Sequence, residues 1–304
     1  MELAYELRPR GVGELVDAAF QIYRKHWWTL VKTAGLFLLP FGLISSVLQA
    51  LIGSNMTSNL NGFTYQTGGL SAAYSQMFSG LLPSLTLYMA VIVLQLIAYM
   101  INDAAMTKQA ADVCLGETPT TGSAWRAVRA RLGTVLGASL LSNLIIYGVG
   151  IVTCCCLGLG ALVFFVFLAL VMPAVMLESA SAGKSIGRSF SLVQKGFWHA
   201  CGVLVVLYLI LLIPTFLISL TLQMLVSGSS LFSPTPFTAR AISDTAQALI
   251  YFASILVGVI LAPLQGIGKT LIYFDLRVRH EGYDLERATL SLAEATADAD
   301  VPKP

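Results

Sequence analysis

Four groups of residues in this chain invite a chemical reading: a glycine–lysine motif, a cysteine run, three histidines and a few polar groups in apolar surroundings. GIGKT at Gly266–Thr270 has the ending of a phosphate-binding loop. That loop needs a glycine five residues before the glycine–lysine pair, after a strand. Here the position is Pro263 and the surroundings read as an apolar helix, so the motif is discarded. Cys154, Cys155 and Cys156 are contiguous, whereas metal ligands are spaced and adjacent cysteines do not normally pair with each other. They read as packing in a tight turn between two spans. Cys114 and Cys201 read as reduced, structural thiols. His26, His199 and His280 fall at helix ends, the first two beside tryptophans, where headgroup contact is expected rather than catalysis. A nucleophile–base pair or carboxylate dyad would need acids and histidines together at membrane depth. The sequence places none there, and no catalytic group, cofactor or metal is expected.

The polar residues within apolar stretches are Lys32, Gln95, Asn102, Asp103, Asn143, Gln265 and Lys269. Ionisable groups in a membrane are functional candidates by default. Lys32 is near enough to Trp27 to snorkel to the inner surface. Asp103 and Lys269 are read as closing the second and sixth spans at the inner face, where they would pair with each other, or Lys269 with Asp275. A structural pair is favoured over a substrate site. A second set of candidates is cationic: Arg24, Lys25, Arg126, Arg129, Arg131, Lys184, Arg188 and Lys195 are expected to meet anionic lipid headgroups.

The elements that must carry these groups follow from composition. Hydrophobic residues make up 56% of the 304 and charged residues 11%, against about 25% charged in a soluble domain. So much apolar surface excludes disorder and makes lipid its solvent. No Asp, Glu, Lys or Arg occurs between Lys32 and Asp103, between Arg131 and Glu178, or between Lys195 and Arg240. A span needs about 20 apolar residues, so each gap holds two spans with a connection, and the uncharged run Thr245–Gly268 holds one. The fold class is an all-α membrane protein with six transmembrane helices, at about 29–52, 83–106, 133–153, 158–177, 200–226 and 246–269, in one domain over 1–282. Pro40, Pro173, Pro214 and Pro263 interrupt four of them, which membrane helices tolerate. Met1–Arg10 does not read as a signal peptide, so the first span is expected to be retained. Lys and Arg flank the spans on one side and nearly vanish from the other, where only Arg240 occurs. Both termini are therefore expected in the cytoplasm, with the chain in the cell (inner) membrane.

The cationic connections are amphipathic. Val12, Leu15, Val16, Ala19, Phe20, Tyr23 and Trp27 share one helical face, opposite Glu14, Asp17, Gln21, Arg24 and Lys25. Similar faces recur before spans 3 and 5, predicting interfacial helices at about 12–26, 122–132 and 183–197. Gly13, Phe20, Lys25 and Trp28 return as Gly183, Phe190, Lys195 and Trp198 at an offset of 170. Three modules, each an interfacial helix and a transmembrane hairpin, are expected, the middle one degenerate. Gly53–Leu82 reads as a long outer loop with an amphipathic helix over Leu70–Leu81. The tail 283–304 reads as cytoplasmic and largely disordered.

Two stretches carry a family likeness. RPRGVGELVDAAFQIYRKHWWTLVKTA (Arg8–Ala34) and LIYFDLRVRHEGYDLE (Leu271–Glu286) resemble the ends of a bacterial family of six-span membrane proteins, labelled as the glycerophosphoryl diester phosphodiesterase membrane domain or as integral membrane proteins of unknown function. The resemblance implies six spans and cytoplasmic termini. It implies no activity for this chain. In members with phosphodiesterase activity a separate soluble α/β barrel performs it, and the 35 residues after span 6 would not hold one. The expected function is a non-catalytic scaffold or partner-binding membrane subunit, the alternative a permease or lipid-handling protein, and an embedded enzyme comes last. Expected partners are the bilayer, its anionic headgroups and either another membrane protein or a second copy; nucleic acid is not expected.

Overall fold

Backbone amides in lipid have no water to turn to, so charge-free apolar runs must close their hydrogen bonds within themselves, as helices. The computed structural model describes residues 8–65, 70–153, 159–231, 244–283, 285 and 289. Among them there is no strand, and six helices are long and apolar enough to cross a membrane. The protein is an all-α, six-span membrane protein. Cys154–Cys156, Arg240 and most of the tail from 283 lie outside the described residues, as do the side chains of 70–77 on the expected surface helix.

Nine helices are described: α1 (Val12–Tyr65), α2 (Leu70–Cys114), α3 (Thr121–Ala130), α4 (Leu132–Val152), α5 (Leu159–Leu168), α6 (Val171–Glu178), α7 (Ala182–Lys195), α8 (Phe197–Leu231) and α9 (Asp244–Glu281). They form two compact units. Unit 1 comprises Met1–Leu30, Asp103–Leu209 and Pro263–Pro304; unit 2 comprises Val31–Asn102 and Ile210–Ala262.

In unit 1 helices occupy the three segments where interfacial helices were expected, and each meets the next helix through one non-helical residue. These are His26 (φ −120°, ψ 18°), Arg131 (φ −124°, ψ 20°) and Gly196 (φ −136°, ψ 38°). His26 and Gly196 are separated by the same 170 residues as the sequence repeat. Their apolar faces do not simply rest on lipid. Leu15, Val16, Ala19 and Ile22 of α1, Ala124 and Val128 of α3, and Leu192 and Val193 of α7 are buried within the protein. The tryptophans sit around these joints instead, all exposed: Trp27, Trp28, Trp125 and Trp198.

Span 4 is broken. A turn at Ala169–Leu170 separates α5 from α6, three residues before Pro173, whose ring nitrogen cannot donate to a preceding carbonyl. Ser189 on α7 donates to the Phe167 carbonyl at 2.5 Å, restoring a bond lost at the break.

In unit 2, α1 and α9 approach closely at Gly42, where an added Cβ would stand 2.7 Å from Ile255 Cγ2. Helix α1 continues as helix to Tyr65, which corrects the loop expected from Gly53, and α2 begins at Leu70, where a helix was expected. The Ser, Asn and Thr there read as loop chemistry, but both helices propagate through them. The surfaces of the long helices are apolar: Ile151 is 77% exposed and Val152 82%, tolerable only in a hydrocarbon solvent.

Candidate functional site

The strongest candidate lies in unit 1, around Asp103 and Lys269. The Lys269 ammonium donates to both Asp103 carboxylate oxygens, at 3.0 Å each. Gln265, one helical turn before Lys269, donates to the Tyr208 hydroxyl, and Tyr208 stands close to both members of the pair. Close packing brings the helices together here. A Cβ on Gly266 would meet Met106 Cβ at 2.4 Å, and one on Gly268 would meet Leu207 Cδ1 at 2.1 Å. The two glycines of GIGKT thus admit α2 and α8 to α9.

Neither residue closes its helix, as the sequence reading expected. α2 runs eleven residues beyond Asp103, and α9 twelve beyond Lys269. Leu271, Ile272, Tyr273, Phe274 and Leu276 are fully or almost fully buried, so packing carries α9 onward past its first cation. Lys269 is six residues, about 9 Å, from Asp275 along the helix. The pair therefore sits well inside the layer of charge formed by the ends of the helices. Desolvating both ions is expensive, and only tight mutual geometry offsets it. With both carboxylate oxygens held by the ammonium, Asp103 is poorly disposed to act as a general base.

A second network occupies the charged end of unit 1. Glu178, on the left-handed turn closing α6, accepts from Arg188 Nε at 2.9 Å and Nη2 at 2.8 Å, and from the Tyr273 hydroxyl. Arg188 also reaches Glu281 at 2.5 and 2.6 Å. The Glu281 carboxylate, followed by Glu178, holds the Arg188 pKa above its ordinary value. Arg277 bonds Glu281 at 3.2 Å and lies 3.9 Å over the Tyr283 ring. Nearby, buried Asp275 accepts from the Arg10 amide at 2.8 Å and from Arg279 at 2.7 Å. His199 Nε2 stands 3.0 Å from the same carboxylate, out of line for a hydrogen bond.

The eight cations expected at headgroups divide by geometry. Arg24, Lys25, Arg126, Arg129, Lys184 and Lys195 are exposed. Arg131 and Arg188 turn inward. Arg131 donates to the Val175 and Met176 carbonyls at 3.0 and 2.8 Å, capping the last turn of α6, and Arg188 is engaged by its two glutamates. Sequence reading passed over Glu178, Tyr208, Tyr273 and Glu281. Glu178 had a usable signal, as the charge that ends the run from Arg131; Tyr208 had none.

Among the described residues no group of three or more His, Cys, Asp or Glu is arranged to hold a metal ion. Cys114 and Cys201 carry free thiols. Comparison of the chain with models of protein families, with curated proteins and with solved structures finds no match.

Proposed function

We propose that this protein is a non-catalytic membrane scaffold, a bacterial inner-membrane subunit with both termini in the cytoplasm that presents a fixed face to a partner protein. The observation behind this reading is the use made of charge in unit 1. Arg188 is held by Glu178 and Glu281, and Lys269 by Asp103, each across helices, while Asp275 and Arg279 pair within α9. Groups committed in this way stiffen a surface and are poorly placed to turn over a substrate. The exposed cations and tryptophans then set the depth of that face at the headgroup level.

The test is site-specific photocrosslinking in cells, with the crosslinker at Arg126 and at Lys195. A discrete protein adduct at either position is expected; adducts to lipid alone would overturn the scaffold reading. The topology has its own test. A periplasm-active reporter is expected to work when fused near Asn61 and Phe237, and to fail after Gly116, Ala182 and Pro304. Activity at Gly116 or Ala182 would reverse the proposed orientation. A permease or lipid-handling protein is the second reading, favoured by Pro40, Pro214 and Pro263 within spanning helices.

A further inference from the structure

The segment that leads into α1 is held at one residue by both of its backbone groups. The Arg10 amide donates to Asp275 Oδ1 at 2.8 Å, and Arg279 Nη2 donates to the Arg10 carbonyl. Asp275 and Arg279 are one turn apart on α9 and bond each other, Arg279 Nε donating to Asp275 Oδ2 at 2.7 Å. The two side chains thus form a single clamp on Arg10, and all of it lies within unit 1.

A third side chain reaches the clamp from α8. His199 Nε2 stands 3.0 Å from Asp275 Oδ2. Packing fixes its approach: Gly202, one turn further along α8, lies against the start of α1, where an added Cβ would stand 3.5 Å from Val12 Cγ2. The His199 side chain keeps 21% of its surface exposed at the charged end of unit 1, so protons reach it, whereas that of Asp275 keeps 2%. The packed elements bring further ionisable groups to this end. On α9 these are Arg279 and His280, the latter with Nε2 3.3 Å from where a Cβ on Gly196 would be. At the start of α1 they are Arg10, whose charge is felt by Cys114 at the end of α2, and Glu14, which is turned to the Gly11 amide. Lys195 ends α7 and is exposed. Of all these, Asp275 is the group in ion-pair contact with His199.

Imidazoles as a class change charge between about pH 5 and 8. A neutral ring places only a dipole beside the Asp275 carboxylate. A protonated ring places a full charge there, and Coulomb attraction does not need the N–H in line. That charge fixes the carboxylate through Oδ2 while Oδ1 holds the Arg10 amide. Arg279 shares Oδ2 and opposes the new charge, so the gain is that of a modest ion pair. The sign follows: the contribution is present when His199 is charged and is lost as pH rises. We propose that His199 is a proton-dependent latch on the Asp275–Arg279 clamp, holding Arg10 against α9 when protonated and loosening it when neutral. The latch stands independently of the scaffold reading.

The test is amide hydrogen exchange of the full chain in nanodiscs, read by mass spectrometry at about pH 5.5 and about pH 8 and corrected for the intrinsic pH dependence of exchange. Pro9 has no amide, so fragmentation of an N-terminal peptide isolates that of Arg10. Its protection is expected to fall about fivefold at the higher pH, the worth of one partly exposed ion pair. His199→Gln is expected to hold it near the parent's high-pH value at both. Asp275→Asn keeps an acceptor for the amide but no charge, and is expected to abolish the pH dependence as well. Protection in the parent that is equal at the two pH values, or greater at the higher, would overturn the proposal. So would a His199→Gln chain that keeps the parent's pH dependence, since another group would then be titrating. An equal loss at the buried amides of Leu271–Phe274 would also overturn it, because the whole unit and not the clamp would be loosening.

Discussion

Removing the Asp103 carboxylate strands a lysine. Lys269 keeps 11% of its side-chain surface exposed and Asp103 25%, and the ammonium bonds both carboxylate oxygens at 3.0 Å. Breaking a buried pair from one side costs about 3–5 kcal/mol because the remaining charge is left in low dielectric. The partial exposure of Asp103 places Asp103→Ala near the low end, at about 3 kcal/mol. Lys269→Met keeps the length of the side chain and leaves the more exposed partner, so about 2 kcal/mol is expected. With both charges gone no ion is stranded, and the double variant is expected to lose about 1 kcal/mol or less, a coupling of several kcal/mol. Unfolding in rising SDS mole fraction, followed by the fluorescence of the tryptophans at the helix joints, measures all four chains. A double variant that loses the sum of the single losses would refute the reasoning, as would an Asp103→Ala chain as stable as the parent.

Three further outcomes follow from other contacts. Gly266→Ala is expected to cost about 2–3 kcal/mol, because the new Cβ meets Met106 Cβ, which is fixed to its backbone. Gly268→Ala meets only the far end of Leu207 and is expected to cost under about 1 kcal/mol by the same measurement; the reverse order would contradict the packing. Arg131→Ala uncovers two carbonyls of α6 and is expected to cost about 2 kcal/mol, whereas Arg126→Ala and Arg129→Ala stay within about 0.5 kcal/mol of the parent. A peptide covering Thr120–Leu132 is expected to partition to anionic vesicles and to leave them as salt rises; equal binding to neutral vesicles would remove the headgroup role of Arg126 and Arg129.

The spans were legible because lipid tolerates so few charges that gaps between ionisable residues measure helices directly. The sequence repeat has one counterpart in backbone geometry. Gly13 and Gly183, Trp28 and Trp198 keep their spacing around joints of similar backbone geometry at His26 and Gly196. Direction was not legible. Arg129 and Arg131 are two residues apart, and only the tertiary position of the α6 carbonyls, some 45 residues away, turns one outward and the other inward. The Asp103–Lys269 contact was legible as chemistry, two opposite charges in apolar helices, but not as depth. Charge ended the expected spans there, whereas buried Tyr273 and Phe274 carry α9 onward.

The three joints also have a mechanical side. A joint of one residue has only two soft torsions, so the two helices it connects cannot turn independently. Buried contacts further fix α3 and α7 within unit 1. A bilayer that thins or thickens changes the preferred tilt of a span, and a change of tilt at His26, Arg131 or Gly196 would load the attached helix through those two torsions. The same single-residue coupling occurs three times in one chain.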